Sequence, residues 1–82
     1  PLLRARGPYD LLIANILAGP LVELAPDFGA AVVPCGQLLL AGLLETQEPR
    51  VRAAYRRAGF RLRARLVNGD WSILWLTRRT AR

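Results

Sequence analysis

A short stretch from Asp10 to Leu17 places an uncharged polar side chain where an apolar segment ends. Leu11 to Ala14 are continuously apolar, which is typical of a parallel β-strand covered on both faces. Asn15 is the first side chain after this run that can hydrogen-bond a ligand. In open parallel sheets, ligands bind just outside the carboxyl ends of the strands. The stretch therefore predicts a ligand contact at Asn15, with a helix cap or a turn residue as the alternative.

The side chains on which most catalytic centres and metal sites depend are scarce in this chain. It has no His and a single cysteine, Cys35. No His-based triad or metal cluster can be built from it, and we expect no metal site. A lone cysteine forms no internal disulfide, which indicates a reducing compartment. No apolar run approaches the roughly 18 residues of a membrane span, so we expect no membrane partner.

The spacing of apolar residues predicts two helices, each with a proline near its start. The first is expected to end before Val-Val-Pro34, and the second to end at Gly59. Their expected buried positions are Leu21, Leu24, Ala25 and Phe28 in the first, and Val51, Ala54, Tyr55 and Ala58 in the second. Between the helices, Pro34 to Gly36 is expected to form a turn and Gln37 to Leu44 a second strand.

The last third of the chain changes to a period of two, which predicts β-strands. A half-buried strand is expected to point one set of side chains inward and an arginine set outward. The inward set is Phe60, Leu62, Ala64 and Leu66, and the outward set includes Arg61, Arg63 and Arg65. Asn68-Gly69-Asp70 predicts a hairpin turn into a returning strand. In that strand we interpret Trp71 and Trp75 as core or sheet-face residues rather than as a base-stacking platform.

The predicted order is therefore β-α-β-α-β-β in one small α/β domain. Its first two strands should be parallel, because a helix connects them, and a C-terminal antiparallel hairpin should follow. The chain has 82 residues, 52% of them hydrophobic, which suffices for one core and not for two.

Charge is distributed unevenly along the chain. Residues 1–49 contain two Arg and five acidic residues, whereas residues 50–82 contain ten Arg and one acidic residue. The net charges of the two parts are −3 and +9, which sum to the +6 of the whole chain. A basic half attracts anionic partners such as RNA. The arginine positions also fit exposed faces of ordinary elements, and we favour this solvated-face interpretation over a nucleic-acid partner.

Several segments together resemble the C-terminal half of the ribosomal protein L11 methyltransferase family. The similarity covers roughly residues 9–78 and is carried by LLIANILAGPLVELAP, VVPCGQLLLAGLLETQ, AAYRRAGFRL and NGDWSILWL. The Asn-Ile-Leu-Ala segment is the most specific of these. The resemblance implies a Rossmann-like class I methyltransferase half-domain and a cytoplasmic enzyme. It also implies S-adenosyl-L-methionine as the methyl donor, with lysine side chains and an N-terminal amine of a large-subunit ribosomal protein as acceptors.

The same resemblance implies roles for the residues after the first strand. Asn15 would contact the cofactor close to the reacting centre, with Ile16 and Leu17 beside it. Ile16, Leu17 and Ala18 would line the methionine and substrate side of the pocket, chiefly through backbone groups, with Ala18 on the substrate side. Gly42, just after the second apolar run, is a further candidate substrate contact, with a plain connecting loop as the alternative. No catalytic acid or base is identified.

The glycine-rich turn and the acidic residue that such a cofactor requires are absent from this sequence. The chain also has no Met, and strand-like sequence begins within ten residues of Pro1. We therefore expect residues 1–82 to be the C-terminal part of a methyltransferase domain in a longer parent protein, and to be inactive alone. The first strand would then form an unpaired edge prone to self-association.

Two other interpretations stay open at this point. One is a class I methyltransferase with a different substrate, because substrate choice depends on segments outside this sequence. The other is a small basic module that binds RNA or the ribosome through the arginine-rich half.

Overall fold

The computed structural model describes residues 8–80, which form a four-stranded sheet and two α-helices. In chain order the elements are β1 (Tyr9–Asn15), α1 (Ala18–Ala31), β2 (Val32–Leu44), a single 3₁₀ turn (Glu45–Gln47), α2 (Glu48–Arg57), β3 (Phe60–Asn68) and β4 (Trp71–Arg78). The predicted order β-α-β-α-β-β is confirmed.

The strands lie in the order β1-β2-β4-β3. β1 and β2 are parallel, and the β3–β4 hairpin is antiparallel and joins the sheet through β4. Asn15 pairs in register with Ala41, and Leu44 with Trp71. The carboxyl ends of β1 and β2 therefore lie at the same end of the sheet as the β3–β4 turn. Within residues 8–80, β1 is an edge strand, as predicted.

Both helices pack on one face of the sheet and enclose the core. The sheet contributes buried leucines from its two central strands, namely Leu38, Leu40, Leu74 and Leu76. The helices contribute most of the positions that their spacing predicted, including Leu21, Ala25, Phe28, Val51, Ala54 and Tyr55. The buried Tyr55 hydroxyl donates a 2.7 Å hydrogen bond to the carbonyl oxygen of Leu21, which ties α2 to α1. Burial raises the pKa of this phenol.

The segment Pro34 to Gly36 is part of a strand, so the predicted turn is wrong. β2 already begins at Val32, and its pairing with β1 changes register between Tyr9 and Leu11. Cys35 accommodates the extra residues by adopting a φ of 68°, in the left-handed region. The result is an irregularity within a continuous strand.

A register shift in β3 overturns part of the predicted alternation. Leu62 pairs with Leu76, but Ala64 pairs with Trp75, so Arg63 is an extra residue. One extra residue moves every later side chain to the other face. Leu66, expected inside, is 67% exposed, and Arg65, expected outside, lies on the helix-covered face.

The face of the sheet opposite the helices is exposed in the described residues. Its large apolar side chains are Leu11, Ile13, Leu66, Trp71, Ile73 and Trp75. Trp71 and Trp75 are thus sheet-face residues, one of the two positions expected for them. Arg63 lies over the Trp75 ring, with its guanidinium carbon 5.4 Å from the ring centroid. No helix within residues 8–80 has the length and hydropathy required to cross a bilayer.

Candidate functional site

Asn15 is the last residue of β1 and its side chain is exposed at the carboxyl end of the sheet. Within residues 8–80 its amide forms no hydrogen bond. The preceding residue, Ala14, is buried in the core, so the backbone that carries Asn15 is fixed by packing. The amide offers both an acceptor and a donor without a charge. The strand end therefore presents a positioned neutral polar group that is free to contact a ligand.

Gly42 lies directly beneath this amide on the neighbouring strand. A Cβ atom at Gly42 would lie 2.6 Å from the Asn15 side-chain oxygen and 3.5 Å from the Ile16 carbonyl oxygen. Gly42 also has a φ of +83°, in a region that favours glycine. The β2–β4 pairing is irregular here, between Leu40 and Leu43. Gly42 thus provides the space in which the Asn15 amide lies, which was not evident from the sequence.

The connection after Asn15 leads straight into α1. Ile16 and Leu17 are exposed, Leu17 by 73%, whereas the Ala18 side chain is buried in the core. The carbonyl oxygen of Leu17 accepts the first helical hydrogen bond, from the amide of Leu21, and no side chain caps the helix. First-turn amides have no acceptor inside a helix and carry partial positive charge. Ile16 and Leu17 can therefore contact a ligand through side chains, and Ala18 only through its backbone.

A second polar cluster lies at the same end of the sheet, centred on Glu48 at the start of α2. Its side chain is only 4% exposed and accepts hydrogen bonds from Arg65 Nε at 2.6 Å and Arg65 Nη2 at 2.8 Å. The Ser72 hydroxyl donates a third, at 3.0 Å, and Arg52 lies 3.6 Å away. The hydrogen bond from Arg65 holds the pKa of the Glu48 carboxyl below its usual value, against the effect of burial.

The chain segment that follows Gly42 is held by hydrogen bonds beside this Glu48 cluster. The amide of Leu44 donates to the Gln47 side chain at 3.0 Å, and the amide of Glu45 donates to the Asp70 carbonyl oxygen at 2.8 Å. Arg65 also reaches Glu45 at 3.5 Å. The segment from Gly42 to Glu48 is therefore held against the β3–β4 hairpin, which keeps Gly42 in place under Asn15.

The Glu48 cluster was not predicted from the sequence, because the alternation of residues in β3 placed Arg65 on the wrong face of the strand. The spacing of Glu48 and Arg52, four residues apart on a helix, did signal one ion pair. The bulge at Arg63 brings Arg65 to Glu48, and no local sequence pattern indicates it.

The structure brings together the candidate residues at one end of the sheet, namely Asn15, Ile16, Leu17, Ala18 and Gly42. Among residues 8–80, no group of three or more His, Cys, Asp or Glu side chains is arranged to hold a metal ion. The site can orient a polar ligand with a neutral amide, against two exposed apolar side chains. That ligand would have to bring its own reactive group.

The chain matches one family of known sequences along almost its whole length. The sequence model described as ribosomal protein L11 methyltransferase (PrmA) matches residues 2–79. A curated relative, the ribosomal protein L11 methyltransferase of a Caulobacter species, is 51% identical over 71 residues. That match covers 87% of this chain and 25% of the relative. The chain thus spans about a quarter of the length of this curated relative.

Solved structures agree with the sequence comparison. The crystal structure of a ribosomal protein L11 methylase from Lactobacillus delbrueckii subsp. bulgaricus superimposes with a TM-score of 0.84 at 30% identity, covering 90% of this chain and 38% of that one. A putative DNA modification methylase from Thermus thermophilus, complexed with S-adenosyl-L-methionine, has a TM-score of 0.64 at 11% identity. It covers 99% of this chain and 50% of that one, and shares the fold alone. The fold is that of a Rossmann-like class I methyltransferase half-domain.

Proposed function

Because this chain belongs to the ribosomal protein L11 methyltransferase family, we propose that it is part of an S-adenosyl-L-methionine-dependent enzyme that methylates L11. The acceptors are lysine side chains and the N-terminal amine of that large-subunit protein. The observation that carries the proposal is the exposed amide of Asn15, which has no hydrogen-bond partner within residues 8–80 and is held over Gly42 at the carboxyl end of the parallel strands.

Residues 1–82 form the C-terminal part of the methyltransferase domain in this proposal. The parent protein supplies the glycine-rich turn and the acidic residue for the cofactor, from segments outside this sequence. The enzyme acts in the cytoplasm, where ribosomal proteins are made and the single Cys35 stays reduced. Its partner is the ribosomal protein substrate, with no membrane involved.

Asn15, Ile16 and Leu17 are the residues that would hold the cofactor. Their properties fit such a ligand, because an uncharged amide and two exposed apolar side chains suit a molecule with both polar and apolar parts. When bound, S-adenosyl-L-methionine supplies the methyl group on its sulfonium sulfur. The first-turn amides of α1 add a further polar surface at this edge.

Asn15 would act by positioning rather than by proton transfer. A target amine must be neutral and held in line with the methyl group. The side-chain oxygen of Asn15 can accept a hydrogen bond from an N–H group of that amine. An asparagine does this without adding a charge that would have to be desolvated. Ala18 and Gly42 border the substrate side, Ala18 through its backbone and Gly42 by leaving space for the amide.

The proposal is tested by methyl transfer in the full-length parent protein. Purified L11 and radiolabelled S-adenosyl-L-methionine are incubated with the enzyme, and mass spectrometry maps the methylated positions. We expect methyl groups on lysine side chains and on the N-terminal amine. Asn15→Ala should lower kcat by about 100- to 1,000-fold, the range seen when one positioned polar group is removed from an active site.

Asn68→Ala is the matched control, because Asn68 is also an exposed asparagine at a strand end near this edge. It should keep a kcat within about twofold of the unmodified enzyme, as expected for a surface substitution. Both variants should unfold at similar urea concentrations. A parent protein that leaves L11 unmethylated, or an Asn15→Ala variant with unchanged kcat, would contradict the proposal.

A further inference from the structure

Trp71 presents an aromatic ring on the face of the sheet opposite the helices, at the same end of the sheet as Asn15. It is the first residue of β4, is 54% exposed and pairs in register with Leu44. Ser72 is buried on the helix-covered face, so Trp71 before it points to the opposite, open face. Ala14 is buried in the same core, so Asn15 after it also points to the open face. The amide and the ring are therefore accessible from the same side of the sheet.

Gly42 lies between the Asn15 amide and the apolar side chains of β4. The β2–β4 pairing is irregular here, and two residues of β2, Ala41 and Gly42, lie opposite a single residue of β4, Ile73. Two strand spacings, about 10 Å, separate β1 from β4. Because Gly42 has no side chain, no β2 side chain at this position screens the amide from β4.

Three exposed apolar side chains lie next to this position, on the open face, and are named here the Trp71 patch: Leu44, Trp71 and Ile73. Trp71 and Ile73 are two residues apart on β4, so their side chains are neighbours on one face. Leu44 lies beside Trp71 through their register pairing. An apolar surface beside a neutral polar group suits a ligand whose alkyl stem ends in a polar head.

Two carboxylates flank the Trp71 patch. Glu45 follows Leu44 and its side chain is 53% exposed, and Asp70, also exposed, precedes Trp71. The amide of Glu45 donates to the Asp70 carbonyl oxygen at 2.8 Å, which holds the two residues together. Arg65 approaches the Glu45 carboxylate at 3.5 Å. Carboxylates beside an apolar surface favour a cationic ligand over an anionic one.

We propose that the Trp71 patch binds the alkyl stem of the lysine acceptor while Asn15 positions its amine. The proposal rests on the proposed function, in which lysine side chains of L11 receive the methyl group. A lysine has a four-carbon stem that packs along apolar surface and a head that carries positive charge in solution. The stem lies against Trp71 and Ile73, and the head reaches the Asn15 amide over Gly42.

The Trp71 patch distinguishes the two kinds of acceptor in the proposed reaction. The N-terminal amine of a protein is attached directly to the backbone and has no four-carbon stem to pack against the indole ring. Methylation of lysine side chains should therefore depend on Trp71 far more than methylation of the N-terminal amine. A general loss of stability would lower both rates together, so the ratio of the two rates reports on the Trp71 patch.

The first test measures methylation of L11 by the full-length parent protein, with mass spectrometry giving separate rates for lysine and N-terminal positions. Trp71→Ala should lower kcat/KM for lysine by about 10- to 100-fold, the range for an apolar contact removed from a specificity pocket. The N-terminal rate should stay within about threefold, because it loses no stem contact. Trp71→Phe keeps an aromatic ring and should restore the lysine rate to within about threefold of the unmodified enzyme.

Trp75→Ala is the matched control. It removes the same ring from the same strand and the same face, about 13 Å farther along β4. It should leave the ratio of lysine to N-terminal methylation unchanged, and urea unfolding of each variant measures its stability. An unchanged ratio in Trp71→Ala would overturn the proposal, and so would an equal change of the ratio in Trp75→Ala.

A binding measurement distinguishes failure of this proposal from failure of the proposed function. Butylamine and methylamine, two cations that differ in their alkyl stem, are each added to the parent protein while indole N–H signals are recorded by NMR. The Trp71 signal is identified by its absence from the Trp71→Phe variant. It should shift with butylamine and stay in place with methylamine, and the Trp75 signal should stay in place with both.

The two possible failures then give different results. A Trp71 signal that does not move with butylamine would overturn the proposal even if the parent protein methylates L11. A shift of this signal in a parent protein that leaves L11 unmethylated would support the Trp71 patch as an alkylamine site and contradict the proposed function.

Discussion

Two polar groups lie at the same end of the sheet and are treated in opposite ways by the fold. Glu48 is almost completely buried and its carboxylate is bound by Arg65, Ser72 and Arg52. Asn15 is exposed and its amide forms no hydrogen bond within residues 8–80. The buried carboxylate has the partners that it requires, whereas the exposed amide has none in the part of the chain that the structure describes.

This contrast separates a structural role from a binding role. A buried carboxylate must be paired, so the partners of Glu48 follow from the cost of burying a charge. An exposed amide has no such requirement, yet the fold clears space for this one with a glycine at a φ of +83°. Glu48 therefore stabilises the fold beside the candidate site, whereas the Asn15 amide can contact a ligand.

Gly42→Ala should produce the largest effect, because Gly42 links the two groups. The new methyl group would lie 2.6 Å from the Asn15 side-chain oxygen. The alanine would also have to adopt the positive φ that Gly42 has, 83°. We expect unfolding free energy to fall by about 2 to 3 kcal/mol, and kcat to fall about 100-fold as the amide is displaced. Urea unfolding and methyl transfer in the parent protein measure the two effects.

A double-mutant cycle sharpens this prediction. In an Asn15→Ala background the steric part of the penalty disappears, so Gly42→Ala should cost about 1 kcal/mol less there. Equal costs in both backgrounds would mean that Gly42 does not hold the Asn15 amide in place.

Glu48→Gln should lower stability by about 2 kcal/mol at neutral pH and leave kcat within a few-fold of normal, because hydrogen bonds between charged groups are lost. Arg65 lowers the pKa of the Glu48 carboxyl in the folded state. A lowered pKa contributes stability above the unfolded pKa, and this is lost as the pH falls through the folded value.

The difference in stability between the unmodified protein and Glu48→Gln should therefore be full near neutral pH and should shrink below about pH 4.5. Urea unfolding at several pH values measures it. Glu23→Gln on the exposed side of α1 is the control and should show no such loss. A Glu48→Gln difference that stays constant across this range would contradict the assigned role of the charge.

Ser72→Ala should have the smallest effect of the series, a loss of about 1 kcal/mol. The buried Ser72 hydroxyl is one of several donors to Glu48, and Arg65 remains after its removal. Thermal unfolding of the variant measures the loss. A loss greater than that of Glu48→Gln would place the main contribution of the cluster on Ser72 instead of on the charge pair.

Local signals made the order of the helices and strands predictable from sequence, although the turn expected at Pro34 to Gly36 was wrong. The apolar run that ends at Asn15, the proline that limits α1 and the glycine that ends α2 each act over a few residues. Position also indicated the candidate site, because the end of a parallel strand is a general location for ligands.

The unpredicted features depend on contacts between distant parts of the chain. The extra residue at Arg63 in β3 is accommodated by pairing with β4 and has no local marker. It reversed the faces of Arg65 and Leu66, so the contact between Arg65 and Glu48 was not predicted. The space for the Asn15 amide likewise depends on Gly42, which is 27 positions later in the chain and lies beside it in the sheet.

The most direct measurement is the NMR signal of the Asn15 side-chain amide in the full-length parent protein, recorded while S-adenosyl-L-methionine is added. We expect the side-chain N–H signals of Asn15 to shift as the cofactor binds, and those of Asn68 to stay unchanged. Saturable cofactor binding, measured by calorimetry on the same sample, with an unmoved Asn15 signal would contradict the assignment of this amide to the cofactor site.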